Sequence, residues 1–197
     1  MKNGIIYLSI VFFCSLILAC GGNGGSANVE PVQIGDYELT RIPGTSVDKA
    51  IKLHETGVVM EEGYLLDGKK FGQWITFNPK DGKVTSITNY VNDAIDGLYL
   101  KFSNREQVDM KTSYRQNNLH GKYAELNFGR PTKEANYVDG QLDGLYKEFY
   151  SNGKLLKEIE FKEGKQDGIY RYYDEKGNVT IEYQYKDGEK VSGGLVN

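Results

Sequence analysis

The chain has 197 residues and a formal net charge of −3 at pH 7. Its composition, 39% hydrophobic and 26% charged, is that of a globular protein and excludes a disordered or fibrous chain. The mildly acidic charge argues against a nucleic-acid partner, because such a partner would need a basic stripe. Glycine (24 residues) and tyrosine (15) are abundant while proline (4) is scarce, and this combination favours a turn-rich β protein.

Residues 1–19 are predicted to be a signal peptide. Lys2 supplies a short positive region, and residues 5–19 are almost continuously apolar. This run is short for a membrane-spanning helix and has the length of a signal-peptide core. Residues 16–20 read Leu-Ile-Leu-Ala-Cys, which resembles the lipobox of bacterial lipoproteins. The resemblance implies that residues 1–19 are removed and that Cys20 is lipidated. An uncleaved anchor and an ordinary secretory signal are the alternatives.

Residues 20–33 are predicted to be the lipidated cysteine and a flexible tether, because residues 21–28 are rich in glycine. Several acyl chains, as bacterial lipoproteins typically carry, would make membrane binding effectively permanent. Gly21 stands where an aspartate would indicate inner-membrane retention in enteric bacteria. We therefore expect a protein of the cell envelope, anchored in the outer membrane of a Gram-negative bacterium. Removal of Cys14 with the signal peptide would leave no pair of cysteines for a disulfide.

Three columns of residues, one of glycines and two of aromatic residues, repeat through the rest of the chain. Five glycines, called here the anchor glycines, recur at intervals of 23 to 25 residues: Gly72, Gly97, Gly121, Gly144 and Gly168. Two residues after each stands an aromatic residue, and these form the aromatic ladder: Trp74, Tyr99, Tyr123, Tyr146 and Tyr170. A second aromatic column keeps the same interval: Tyr90, Tyr114, Tyr137, Phe161 and Tyr185. Columns that stay in register over five units indicate tandem structural repeats.

Each repeat is predicted to be a β-hairpin. Residues 179–185 alternate between apolar and polar side chains, which is typical of an antiparallel strand with one packed face. Turn signals such as residues 151–154 separate the two strands of a unit. Four residues before each anchor glycine stands a glycine, asparagine or aspartate, which favours a left-handed turn position. The anchor glycine is expected to need either a positive φ or room for a neighbouring aromatic ring.

The predicted fold class is therefore all-β, with tandem antiparallel β-hairpins that form an elongated, twisted single sheet. Residues 69–197 are predicted to hold five full hairpins and a partial C-terminal unit. Residues 34–68 are predicted to be an N-terminal cap with a degenerate repeat, including a strand at residues 37–41. Within this cap, Tyr64 is predicted to lie near the second aromatic column.

The pattern resembles MORN-type repeats, and more closely the variant found in bacterial proteins of the YwqK-family antitoxin type. The likeness is carried by residues 67–74, 139–146, 162–170 and 186–190. It implies a hairpin-array fold, which hosts lipid-binding, scaffolding and immunity roles. The middle units depart from the pattern, because Asp93 and Asn117 replace a glycine and Arg130-Pro131 shortens the third turn region.

The sequence predicts no enzyme, no cofactor and no metal site. It contains no nucleophile-elbow, phosphate-loop or dinucleotide motif, and only two histidines. Three aspartates occupy one turn column: Asp96, Asp143 and Asp167. They are predicted to accept hydrogen bonds from backbone N–H groups, and a calcium site is the alternative. His120 occupies the same column and is interpreted as a turn residue.

The aromatic ladder supports two interpretations. Its rings form the core that holds thin hairpins together, or part of it is a candidate partner-binding face. Three function classes follow. The first is a lipid-anchored envelope protein that binds an unidentified protein partner or acts as a scaffold. The second is an immunity protein that neutralises a toxin, and the third is a lipid- or carbohydrate-binding surface protein. The acidic charge disfavours anionic lipid. The sequence leaves the oligomeric state open.

Overall fold

The computed structural model describes residues 32–196, and every regular element in that range is a β-strand. The predicted signal peptide (residues 1–19), Cys20 and the tether up to residue 31 lie outside the described residues. Within the described range, no helix has the length and apolar character needed to cross a membrane.

The strands are β1 (Val32–Ile34), β2 (Tyr37–Arg41), β3 (Val47–Leu53), β4 (Val59–Leu66), β5 (Lys69–Phe77), β6 (Val84–Val91), β7 (Ala94–Phe102), β8 (Val108–Arg115), β9 (Asn118–Asn127), β10 (Arg130–Val138), β11 (Gln141–Leu142), β12 (Gly144–Phe149), β13 (Leu155–Lys162), β14 (Lys165–Tyr173), β15 (Val179–Lys186) and β16 (Glu189–Leu195).

These strands form one antiparallel sheet whose spatial order follows the chain. β11 and β12 both pair with β10, so they are two pieces of one strand interrupted at Asp143. At about 4.8 Å per strand position, the sheet measures roughly 70 Å across its strands. Within the described residues, β1 and β16 each have one neighbour, so the sheet is open. The predicted all-β array of hairpins in a single sheet is confirmed.

The N-terminal cap contains the strand that was predicted at residues 37–41, which is β2. The predicted tether is two residues too long, however. β1 begins at Val32 and pairs with β2, with Val32 opposite Leu39, across a turn at Gly35. Residues 32 and 33 therefore belong to the sheet.

Tyr64 does not join the second aromatic column, so that prediction is wrong. Leu65 pairs with Lys70 as Tyr90 pairs with Ile95 one unit later, which gives Leu65 the column position. Tyr64 lies on the opposite face of the sheet with 42% of its surface exposed. Tyr64 stands one residue before the column position, and one residue exchanges the two faces of a strand.

Two-residue turns connect successive hairpins along one edge of the sheet. Both turn residues have positive φ, for example Asp139 (49°) and Gly140 (85°), as in a type I′ turn. Asp93 and Asn117 adopt this conformation without glycine, at φ of 67° and 68°. The backbone N–H of Gly140 donates to the carbonyl of Leu119 at 2.8 Å, and the neighbouring turns repeat this bond, so each turn is tied to the preceding hairpin.

Longer turns close each hairpin at the other edge. In residues 174–177, the N–H of Gly177 donates to the carbonyl of Asp174 at 2.9 Å, and Gly177 has a φ of 96°. The third unit differs, because Phe128 and Gly129 form a two-residue turn there. Pairing of β9 with β10 nevertheless continues up to this turn, with one register shift between Pro131 and Lys133.

The anchor glycines lie in β-bulges. Thr88 pairs with Tyr99 and Tyr90 pairs with Ile95, so Asn89 alone opposes residues 96–98 around Gly97. The same shift recurs where β5, β9 and β14 meet their preceding strands. A bulge with two extra residues bends the strand but keeps its side chains on the same faces.

Positive φ is the reason for glycine at these bulges. The five anchor glycines have φ between 67° at Gly72 and 124° at Gly168. A Cβ atom at Gly72 would meet nothing within 4 Å, and one at Gly144 would meet only the Asn136 side chain, at 3.7 Å. Of the two expected reasons, backbone conformation is therefore the operative one, and room for an aromatic ring is not.

Both aromatic columns project from the same side of the sheet, called here the aromatic face. Tyr99 and Tyr114 meet edge to face, with ring centroids 6.0 Å apart and planes at 85°. Three other full units pair their two columns edge to face as well: Trp74 with Tyr90, Tyr123 with Tyr137, and Tyr146 with Phe161. In the last full unit Tyr170 and Tyr185 form a tilted pair, with planes at 51°. Such pairs contribute about 0.5–1.5 kcal/mol beyond burial alone. Buried short residues, including Thr88, Thr112 and Ala135, fill the positions between ladder rings.

The best-buried part of the aromatic face lies at the N-terminal end. The Lys70 ammonium sits 4.0 Å from the centroid of the Trp74 ring, 5.1 Å from that of Tyr90 and 5.6 Å from that of Tyr37. It also forms an ion pair with Glu61 at 2.7 Å, and Glu61 accepts the hydroxyl of Tyr37. This ammonium cage joins β2, β4, β5 and β6, since each strand supplies one of its groups.

We expect Gly144→Ala to destabilise the protein by about 1 kcal/mol or more, because alanine strains a backbone held at a φ of 100° while meeting no steric obstacle. Chemical denaturation monitored by circular dichroism measures the change. Gly194→Ala is the matched control, since Gly194 lacks a positive φ and has open space around it, and its effect should stay within about 0.5 kcal/mol. Equal stability of Gly144→Ala and the wild type would contradict the strain.

We expect Lys70→Met to destabilise the protein by about 1–2 kcal/mol, because it removes the cation from three ring faces and leaves the Glu61 carboxylate with a weaker set of partners. Thermal unfolding is followed by fluorescence of Trp74, the only tryptophan in the chain. Lys69→Met, at the exposed neighbouring position, should leave the midpoint unchanged. Equal midpoints for both variants would show that the cage adds nothing.

Candidate binding surfaces

The structure separates Trp74 from the other members of the aromatic ladder. Trp74 is only 1% exposed, so the prediction that it forms part of a partner-binding face is wrong. Tyr37 and Lys70, from outside the ladder, cover its ring. The other four rings are half-buried and each contacts a ring of the second column: Tyr99, Tyr123, Tyr146 and Tyr170. Their part in partner binding stays a prediction.

Two ladder tyrosines use their hydroxyl groups within the sheet. Tyr123 donates to Glu125 at 2.7 Å, and the ammonium of Lys133 binds the same carboxylate at 2.9 Å. The next unit repeats this arrangement with Tyr146, Glu148 and Lys157. Burial and the hydrogen bond to Glu125 hold the pKa of Tyr123 above its ordinary value, while the hydrogen bonds from Tyr123 and Lys133 lower the pKa of Glu125. These polar tips are therefore already satisfied within the protein.

The aspartate column caps turns, as predicted. Asp96 accepts the backbone N–H of Gln116 at 3.3 Å, and Asp143 accepts that of Glu163 at 3.1 Å. Asp167 makes the equivalent bond to Asp187 and also binds Lys186. Each aspartate thus supports the two-residue turn of the following unit.

His120 fills the aspartate position in the third unit. The backbone N–H of Asp139 donates to its Nδ1 atom at 3.4 Å, so the histidine has the same turn-capping geometry. Among residues 32–196, no three side chains of histidine, cysteine, aspartate or glutamate come together as a possible metal site. This part of the chain therefore contains no cluster of ligands that would support the calcium alternative.

A groove opens at the centre of the opposite face of the sheet, across β7 to β12. Its volume is about 710 Å³, and we call it the lysine groove. Lys111, Lys122 and Lys147 line it, together with two leucines. Those leucines, Leu98 and Leu145, are 43% and 44% exposed, whereas Ala124 at the floor is buried. The groove therefore combines apolar contact area with three ammonium groups.

The three lysines of the groove form no direct ion pair within residues 32–196, since none of them has a carboxylate oxygen within 4.0 Å. Glu134 and Glu158 pair in register with Lys147 on its two sides, and Glu158 is bound by Arg171. Further along the same face, by contrast, Arg171 binds Glu182 at 2.7 Å and Glu158 at 3.4 Å. The groove thus has an excess of positive charge in a chain whose formal charge is −3.

The groove is not among the predicted sites, although the sequence contains a signal for it. The residue directly after the anchor glycine is a leucine in two units, at Leu98 and Leu145, but it is Lys122 in the unit between them. Two positions further on, Lys147 takes the place that holds Leu100 and Ala124 in earlier units. Lysine at positions that are apolar in sister units marks the wall of the groove.

Comparison with known families gives one match. The model of the MORN repeat variant matches residues 142–163 and residues 166–187. No curated protein matches the chain. Each matched stretch contains one anchor glycine, one ring of the aromatic ladder and one ring of the second aromatic column. The remaining units repeat this geometry in the same sheet. The chain therefore carries two adjacent MORN-variant repeats, at residues 142–163 and 166–187.

Proposed function

We propose that the chain is a non-catalytic binding protein of the cell envelope that is anchored by lipid at Cys20 and holds a protein partner on its repeat sheet. The observation that carries this proposal is the lysine groove, which lies open to solvent in the middle of the array. Its volume falls within the range of about 300–1,000 Å³ that is usual for ligand sites. Repeats of the MORN type are generally binding modules without catalytic activity, which supports the same function.

The two faces of the sheet support different parts of this function. The aromatic face uses its rings and hydroxyl groups for internal contacts, for example between Tyr123 and Glu125. The opposite face keeps exposed leucines and the three groove lysines, which form no direct ion pair within residues 32–196. Exposed apolar groups beside unpaired charges are typical of surfaces that bind a partner. A toxin as that partner would make the chain an immunity protein.

The proposed anchor rests on the sequence around Cys20. A short apolar segment that ends in Leu-Ile-Leu-Ala-Cys is the substrate pattern for lipidation and cleavage in bacterial lipoproteins. Anchoring would confine the sheet to one membrane surface, where a partner in the same compartment meets it at a raised effective concentration.

We expect Cys20→Ser to abolish incorporation of labelled fatty acid and to release the chain from the membrane fraction of the bacterium. Metabolic labelling and fractionation measure both effects. Cys14→Ser is the matched control, because Cys14 lies within the apolar core of the predicted signal peptide and should leave labelling unchanged. Continued labelling of Cys20→Ser would contradict the anchor and leave partner binding by the sheet to be judged separately.

We expect crosslinking in intact cells, followed by purification of the tagged chain, to recover at least one envelope protein in near-stoichiometric amount. Cells with the untagged chain provide the control for non-specific recovery. Recovery of a toxin would select the immunity role, and recovery of another envelope protein would select the scaffold role. Failure to recover any protein under several growth conditions would contradict the proposed function.

A further inference from the structure

We infer that the lysine groove binds an acidic, extended segment of the partner protein. This inference rests on the proposed function, because it specifies the chemistry of the partner that the sheet holds. Lys111, Lys122 and Lys147 present three ammonium groups to the groove, and Glu134 is the carboxylate beside them. A partner that supplies carboxylates completes the ion pairs that the described residues leave open.

The spacing of the lysines fits an extended peptide. Lys111 lies on β8 and Lys147 on β12, three strand positions apart, which is about 14 Å. An extended chain rises about 3.3 Å per residue, so its first and fifth side chains point the same way about 13 Å apart. Carboxylates at alternate positions of a peptide that crosses the strands would therefore reach both lysines. The row of paired residues from Lys111 to Lys147 passes through Ala124 and Glu134. Lys122 lies two residues from Ala124 along β9, about 7 Å to one side of this row, so it faces the segment from its flank.

The groove also offers apolar contact to such a segment. Leu98 and Leu145 lie on β7 and β12, at its two sides, and both are more than two-fifths exposed. Buried Ala124 at the floor allows a peptide backbone to approach the sheet closely. Burial of the leucines contributes affinity, while the lysines select acidic side chains and orient them.

A protein segment fits these observations better than a membrane or a nucleic acid. Anionic membranes are bound by clusters of roughly four to eight basic residues beside the bilayer, and duplexes require a basic stripe. The groove has three lysines and one carboxylate, and they line a recess instead of a flat patch. Its positive charge is local, since the chain as a whole is acidic.

The test uses the full chain, purified in detergent, and a short fluorescein-labelled peptide in which glutamate alternates with threonine. Fluorescence anisotropy should detect saturable binding that weakens as salt rises. The triple variant with Lys111→Gln, Lys122→Gln and Lys147→Gln should bind at least about tenfold more weakly. A peptide with glutamine in place of glutamate should not bind the wild type.

The matched control is a second triple variant, with Lys80→Gln, Lys101→Gln and Lys176→Gln. It changes the net charge equally, but its exposed lysines lie outside the groove. This control should keep its affinity within about twofold of the wild type. Unchanged Trp74 fluorescence and circular dichroism verify that both variants are folded.

Two outcomes overturn the inference. These are no binding of the acidic peptide by the wild type, and equal loss of binding in the two triple variants. Crosslinking in cells separates this failure from failure of the proposed function. If the groove variant captures the same protein as the wild type, the groove is not the binding site and the binding function stands. If the wild type captures nothing, the proposed function itself fails.

Discussion

The pair of aromatic rings inside each full hairpin is the interaction on which this sheet depends. A sheet of one layer has no second layer to bury its faces, and an isolated hairpin is marginally stable in water. The pair of Tyr99 and Tyr114, repeated in sister units, supplies apolar burial and specific geometry where strands meet. Buried short residues such as Thr112 let successive rings approach one another across the return strands. Stability therefore accumulates unit by unit along the sheet.

Because these ring pairs all lie on the aromatic face, the side chains of the opposite face are not needed for this packing. Every anchor bulge of the type seen at Gly97 adds an even number of residues, so the rings stay on one side and the alternate side chains stay on the other. Substitution on the opposite face then changes surface chemistry with little effect on the packing of the two aromatic columns. Lys122 and Lys147 replace apolar residues of sister units, and the repeats around them keep the same pairing. A binding groove can thus arise in the middle of a regular array.

Much of the repeat geometry could be predicted because it is local. Glycine columns, turn residues and ring columns are set by interactions within one unit or with the next, and the positive φ of Gly144 and the turn cap at Asp143 follow from them. Features that depend on register across several strands could not be predicted in this way. Tyr64 is an example, because it lies one residue from the column position held by Leu65 and therefore on the opposite face of β4.

The ammonium cage shows the same limit. Tyr37 stands outside the repeats and three strand positions from β5, yet it covers Trp74. Nothing in the periodicity connects these two residues, since Tyr37 has no counterpart in either column. The lysine groove also depends on the order of strands, because its walls come from separate units. Contacts of this kind become visible only when the strands are placed side by side.

The agreement between strand order and chain order has a kinetic consequence. Each strand pairs with strands adjacent to it in sequence, so contact order is low and the loops that must close are short. The most completely buried cluster, formed by Leu39, Ala50, Leu65 and Trp74, lies on β2 to β5, near the N-terminal end of the described sheet. When folding starts from this cluster, each later hairpin can pair with a strand that has already folded. The strand order therefore favours sequential folding, in which hairpins are added one after another from the N-terminal side.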